Sequence, residues 1–277
     1  MGRVYAWVLE ELGVATWEDL LRCDVQAVAA SFRACGYPAV SAMEVSRWRQ
    51  HAHSYAAGQP ITFDLLAAAV PVGKSFIVLD LEYDPEPGEP GSLIWLVGAC
   101  VVDGDTQEHL VLWADSTEDE ERNLRALAEL VRRRPAVPVV TWAGNGAEAP
   151  RLRAAVEHSR APLGLDPLFE RHVDLYAYAR RHVRLPIPSL SLKDVAEYFG
   201  IPRLSGVVDG LQALLLHEQY RRTHDAALRD HLIDYNRDDL DALVGVLQQF
   251  ARLTPTPRVL THYLVTHDLD SSSQAWS

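Results

Sequence analysis

The chain has 277 residues, 48% of them hydrophobic and 23% charged, a balance that suits one large globular domain plus a small one, or two. Its net charge of −12 argues against gripping nucleic acid by bulk electrostatics; it leaves room for a nuclease, because bound metal ions reverse the local sign at a carboxylate site. No run approaches the roughly 18 apolar residues of a membrane span, and the acidic start MGRVYAWVLEELG lacks the unbroken apolar core of an export signal, so a cytoplasmic protein without membrane contact is expected.

Residues 1–58 read as helical. Thr16 reads as an N-cap with Asp19 three residues on, Ser41 pairs with Glu44 as a capping box, and Gly58 is placed as a helix C-cap. Pro60, Pro71 and Gly73 punctuate the chain, with a short helix possible between the prolines and a domain boundary near residue 71. Cys23, Cys35 and Cys100 lack zinc-site spacing and are expected as reduced, buried thiols. From residue 75 the periodicity changes. Strands are expected over 75–84, 93–102 and 108–113, with PGEPGS (87–92) turning between the first two. An amphipathic helix over 115–134, acidic at its start and basic at its end, precedes a fourth strand, VPVVTW (137–142). A short fifth strand in HVDLYAYARR (172–181) runs into a helix. Helices follow over SLKDVAEYFG, over GLQALLLHEQYRR and from about 226 to 252, before a loosely held tail.

The strand SFIVLDLEYDP (75–85) poses the functional question. Ile77, Val78, Leu79 and Leu81 leave neither face polar, yet Asp80 and Glu82 stand two apart and so project from one face. Two buried like charges repel, and each costs several kcal/mol to desolvate unless a divalent cation lies between them. Oxygen ligands alone imply a hard ion such as Mg²⁺ or Mn²⁺. The plainer alternative is a solvated strand end. In the last helix, Leu228, Leu232, Tyr235, Leu243, Val246 and Phe250 form an apolar stripe with Asp239 near its centre, whereas Asp234, Asp238 and Asp241 fall off it. Asp239 is thus expected inside, one turn from Tyr235, either sharing metal with the strand pair or bonded to an arginine or to backbone. In TWAGNGAEAPRL, a strand gives way to a Gly/Asn turn with Glu148 at the next helix start, as an active-site acid or as an ordinary helix-start acid.

Asp80-x-Glu82, Asn145-x-x-Glu148 with Leu152, and Tyr235-x-x-x-Asp239 occur in the order of the three motifs of DEDD-type 3′→5′ exonucleases, and the tyrosine resembles the DEDDy subgroup. Within it the chain looks most like YprB-type bacterial RNase H-like domains, whose features match VDLYAYARR with Asp174, SLSLKDVAEYFG and YNRDDLDALVGV. The resemblance covers residues 75–252 and departs at the second motif, which usually supplies Asp after an aromatic residue where this chain has Ala147-Glu148. The N-terminal segment is similar, though degenerately, to helix–hairpin–helix segments, without their Gly-x-Gly hairpin.

The resemblance implies an RNase H-like mixed five-stranded sheet flanked by helices (71–254), a small all-helical domain before it (1–70) and a C-terminal tail (255–277). It implies that Asp80, Glu82, Glu148 and Asp239 bind two Mg²⁺ or Mn²⁺ ions, and that Tyr235 orients the attacking water or a non-bridging oxygen. The implied substrate is a single-stranded 3′ end of DNA or RNA, with a protein partner or a fused nuclease or helicase possible. Asp174 reads as an N-cap or as a group supporting the site, and Lys193 as a phosphate contact or a solvated lysine. The rival function is a catalytically weak RNase H-like scaffold module within a larger assembly.

Overall fold

The computed structural model describes residues 3–63, 66, 73–85, 92–159, 161–203 and 210–256. The helix expected between Pro60 and Pro71, the turn over 87–92 and the tail lie outside, or almost wholly outside, these residues. The chain forms two compact units, one of residues 1–65, 180–188 and 253–277 and the other of residues 66–179 and 189–252.

The first unit holds α1 (Arg3–Glu11), α2 (Trp17–Arg22), α3 (Val25–Ala34), α4 (Ala42–Ala57) and β1 (Ile61–Thr62). Thr16 and Asp19 form the full capping box at α2. At α4 only half of the box forms: the Ser41 hydroxyl accepts the Glu44 N–H at 3.3 Å, while the Glu44 carboxylate turns to Arg47 at 3.1 Å. An arginine one turn on offers the carboxylate a charged partner, which outcompetes the backbone N–H. Gly58 closes the helix in the left-handed region, with φ of 63°. Val8, Val25, Val28, Phe32 and Val45 form the core of this unit, bordered by Tyr5 and Trp48.

The second unit is built on a sheet. β2 (Ser75–Tyr83), β3 (Ile94–Asp103) and β4 (Thr106–Trp113) run antiparallel to their neighbours. After α5 (Thr117–Arg132), β5 (Val139–Thr141) joins β2 in parallel; α6 (Glu148–His158) and α7 (Asp166–Glu170) then lead to β6 (His172–Asp174), parallel to β5. The order is β4-β3-β2-β5-β6, a mixed five-stranded sheet with β2 at its centre. α8 (Leu175–His182) leaves the sheet, and its successor β7 (Val183–Arg184) pairs antiparallel with β1 in the first unit. α9 (Leu192–Tyr198), α10 (Gly210–Thr223) and α11 (Ala226–Arg252) complete the chain.

Each face of β2 has a different neighbour. Ile77, Leu79 and Leu81 pack with Leu124, Leu127 and Val131 of α5 and with Leu152 of α6. Asp80 and Glu82 alternate with them and so point to the other face, the side of the sheet that α11 crosses. The stripe of α11 is buried there from Leu232 through Tyr235, Asp239, Leu243 and Val246 to Phe250, while Asp234 and Asp241 are exposed. Of the cysteines only Cys100 is buried; Cys23, at the end of α2, is half-buried against the core of the first unit, and Cys35, at the end of α3, is exposed.

Candidate metal centre

The site assembles where α11 crosses β2. Asp80, Glu82 and Asp239 each offer a carboxylate oxygen, and these oxygens lie within 4.8 Å of one another. Burial drives the protonation of all three upward. Asp80 is pushed well above the usual carboxylate range by burial and then by the charges of Glu82, Asp239 and Glu148. Glu82 is pushed up to about 8 by burial, with Asp239 and Glu148 adding to it. Asp239 is raised by burial against the opposing pull of Arg203 and of a hydrogen bond from Tyr235. The Tyr235 hydroxyl, buried beside these acids, is held firmly protonated.

Asn236 is a site residue that sequence reasoning missed. It is 0% exposed, and its Nδ2 donates to Asp80 Oδ2 at 2.7 Å. Its amide lies against Gly98 of β3, the residue paired with Asp80 across the sheet. A Cβ at 98 would come within 2.7 Å of Asn236 Cγ and 2.9 Å of Nδ2, and closer still to Oδ1. The glycine therefore makes the space in which Asn236 reaches Asp80. Two signals were in the sequence: a lone glycine inside an apolar strand, and an asparagine four residues after Leu232 and seven before Leu243, on the same stripe.

Glu148 stands outside the trio of converging oxygens. It opens α6, is buried, and leaves Oε2 without a hydrogen-bond partner. Burial pushes it up to about 7, and its charge in turn raises Asp80 and Glu82. The turn before it is tightly held. Ala143 takes a left-handed φ of 62°, a conformation that costs a residue with a Cβ about 1–2 kcal/mol. Asp174 accepts from Ala143 N at 3.2 Å and Asn145 N at 3.1 Å, and from Ala177 N at 3.0 Å. It thus caps the start of α8 and pins the turn that delivers Glu148. Gly144 passes over the hydrogen bond between Thr141 and His172 (2.7 Å), where a side chain would collide. Lys193 is exposed on α9.

Asp239 also has a cationic neighbour. Arg203 Nη2 lies 2.6 Å from Asp239 Oδ1, and its guanidinium carbon sits 5.8 Å from the centre of the Tyr235 ring. The contact is a close ion pair between two largely shielded side chains. Of the two expectations for Asp239, the bond to an arginine is observed, and its carboxylate also lies beside those of Asp80 and Glu82.

The donor set fits a hard divalent cation. All donors are oxygens, as Mg²⁺ and Mn²⁺ prefer, and ligands about 2.1 Å from a shared ion lie up to about 4.2 Å apart. The observed span of 4.8 Å is within a small side-chain adjustment of that. Glu148 Oε2 is a buried acceptor without a hydrogen-bond partner, which a cation would satisfy.

The sheet order, the flanking helices and the acid-bearing central strand define an RNase H-like fold. The chain belongs to the RNase_H superfamily, whose model matches residues 77–251. It is similar to a family B DNA polymerase from the hyperthermophilic archaeon Pyrobaculum calidifontis, with 24% identity and a TM-score of 0.51 over 64% of this chain. The chain spans 24% of that polymerase, so the likeness is one of fold. The Aedes aegypti Nibbler EXO domain matches more distantly, with 14% identity and a TM-score of 0.39 over 69% of this chain and 86% of that domain. No curated protein matches the chain.

Proposed function

We propose that the chain is a metal-dependent nuclease of the DEDDy type, resembling the YprB-like domains, that hydrolyses DNA or RNA exonucleolytically from a single-stranded 3′ end. The observation that carries this reading is the convergence of Asp80, Glu82 and Asp239 to within 4.8 Å on a buried face, from segments more than 150 residues apart in sequence. Asp80, Glu82, Glu148 and Asp239 would hold two Mg²⁺ or Mn²⁺ ions, which when bound supply an activated water and stabilise the leaving 3′-oxygen. Asn236 fixes the rotamer of Asp80. Asp174 holds the turn before Glu148. Tyr235, kept protonated by burial, is a donor to the water or to a non-bridging oxygen rather than a general base. Polarity and exonucleolytic mode come from the motif resemblance. In this reading residues 71–254 form the nuclease domain and residues 1–70 a helical domain for packing or docking.

A strand of phosphates meeting a chain of charge −12 needs a local basic face. The helical unit gathers three arginines, of which Arg47 is paired with Glu44 and Arg184 donates to backbone carbonyls. Arg47, Gln50, Phe63, Arg181 and Arg184 line a cleft of about 460 Å³. Arg184 is 9% exposed, and burial, with Arg47 adding to it, pushes its guanidinium down to about 10. These arginines support nucleic acid as the partner.

The ion pair between Arg203 and Asp239 favours the second reading, a weakly catalytic RNase H-like module, because a guanidinium supplies positive charge where a metal would. One assay separates the two. A labelled single strand is incubated with Mn²⁺ and the wild-type, Asp80→Ala or Asp239→Ala protein. The nuclease reading expects shortening from the 3′ end that both substitutions abolish. Shortening that survives both belongs to a contaminant, and no shortening by any of the three leaves the scaffold module.

A further inference from the structure

We infer that Arg203 is a phosphate-binding residue of this site that rests on Asp239 when no metal is bound. The inference depends on the nuclease reading above. The guanidinium is 16% exposed and the Asp239 side chain 12%, so the pair is shielded from water that would otherwise screen it. Among the described residues no other arginine or lysine pairs with Asp80, Glu82 or Asp239. One cation therefore faces three converging carboxylates.

The geometry marks the pair as exchangeable. Arg203 Nη2 meets Asp239 Oδ1 at 2.6 Å, so the guanidinium holds an oxygen that a divalent ion at this site would also take. The guanidinium also lies 5.8 Å from the centre of the Tyr235 ring. A cation–π contact of that kind keeps a planar group near the tyrosine hydroxyl without consuming its donors. A divalent ion ligated by Asp239 competes with Arg203 for the carboxylate, and the repulsion between the two positive groups loosens the ion pair. A displaced guanidinium this shielded needs a new anion. The phosphodiester that the ion would hold is that anion, and its paired oxygens suit the arginine fork.

Two titrations test this. Mn²⁺ alone is titrated calorimetrically into the wild-type, Arg203→Ala, Arg203→Lys and Asp239→Asn proteins, each first checked for folding by circular dichroism. Thymidine 5′-monophosphate is then titrated into the same proteins with Mn²⁺ at saturation. Removing one charge-pair competitor tightens Mn²⁺ binding to Arg203→Ala by about five- to tenfold, and loss of the fork weakens nucleotide binding by about tenfold. Arg203→Lys, which keeps the charge but not the fork, stays near wild type for Mn²⁺ and loses nucleotide affinity. Asp239→Asn loses Mn²⁺ binding, which shows that the titration reports this site. Mn²⁺ affinity unchanged or weakened in Arg203→Ala overturns the inference, as does unchanged nucleotide affinity, while the metal reading stands. If neither the wild type nor Arg203→Ala binds Mn²⁺, the metal reading falls and the inference with it.

Discussion

Replacing Gly98 with alanine tests how the site is held, because the perturbation is one methyl group whose collision partner is known. A Cβ there comes within 2.7 Å of Asn236 Cγ and 2.9 Å of its Nδ2. Asn236 is 0% exposed, so its amide has no open space to move into. Overpacking of this kind costs about 1–3 kcal/mol. Moving the amide also breaks its 2.7 Å bond to Asp80, and leaving a buried polar group without its partner costs about 1–3 kcal/mol. Gly98→Ala is therefore expected to destabilise the protein by roughly 2–6 kcal/mol in urea denaturation, the sum of those two effects. A double-mutant cycle isolates the cause. In an Asn236→Ala background the colliding amide is gone, and an alanine in a strand is better than glycine by about 0.5–1 kcal/mol, so Gly98→Ala becomes neutral or stabilising. Mn²⁺ affinity falls in both single mutants because Asp80 loses its brace. Additive effects, or a Gly98→Ala protein as stable as wild type, would refute the placement of Asn236 between the glycine and the acid.

Three further outcomes follow from the same site. Glu82 and Glu148, raised by burial from an ordinary 4.5 to about 8 and about 7, hold protons in the folded chain that the unfolded chain has already released. The stability tied to these two acids in the metal-free protein is therefore fully present below pH 4.5 and is lost as the pH rises toward 8, each tenfold change in a proton-binding equilibrium being worth about 1.4 kcal/mol; Mn²⁺, which favours the ionised forms, reverses the slope. Thermal melts across that range check this, and a flat metal-free profile contradicts the burial of the acids. Tyr235→Phe slows hydrolysis by about 100-fold, the loss typical of one oriented donor, and leaves Mn²⁺ affinity near wild type in calorimetry. Equal losses in both quantities would make the tyrosine a structural prop. Arg47→Glu with Arg181→Glu weakens oligonucleotide binding by about tenfold or more and flattens its salt dependence in anisotropy titrations, with Mn²⁺ affinity unchanged. A salt slope equal to that of wild type removes the arginine cleft from the substrate path.

The parts of the fold that follow from local pattern were legible in the chain. The continuous apolar character of β2 and β3 announced a buried central pair, and the stripe of α11 pointed Asp239 inward with no knowledge of its neighbours. What the sequence hid depends on contacts between distant segments. β1 and β7 are two residues long each, too short for any periodicity, and exist only because they pair with each other. Arg203 stands in IPRLSG, outside any helical or strand pattern, so its position over Tyr235 has no local signature. Asn236 and Gly98 are a middle case. Each was anomalous in its own element, but only their juxtaposition explains why both residue types are needed. Asp174 allowed two readings, and the structure joins them: one carboxylate caps α8 and braces the turn of Ala143.

Manganese-soaked crystals provide the decisive observation. Anomalous density among the Asp80, Glu82 and Asp239 carboxylates, with the Arg203 side chain withdrawn from residue 239, is the expected result. Crystals that take up no ion at high Mn²⁺, with the guanidinium still seated on that aspartate, would contradict a metal-dependent nuclease.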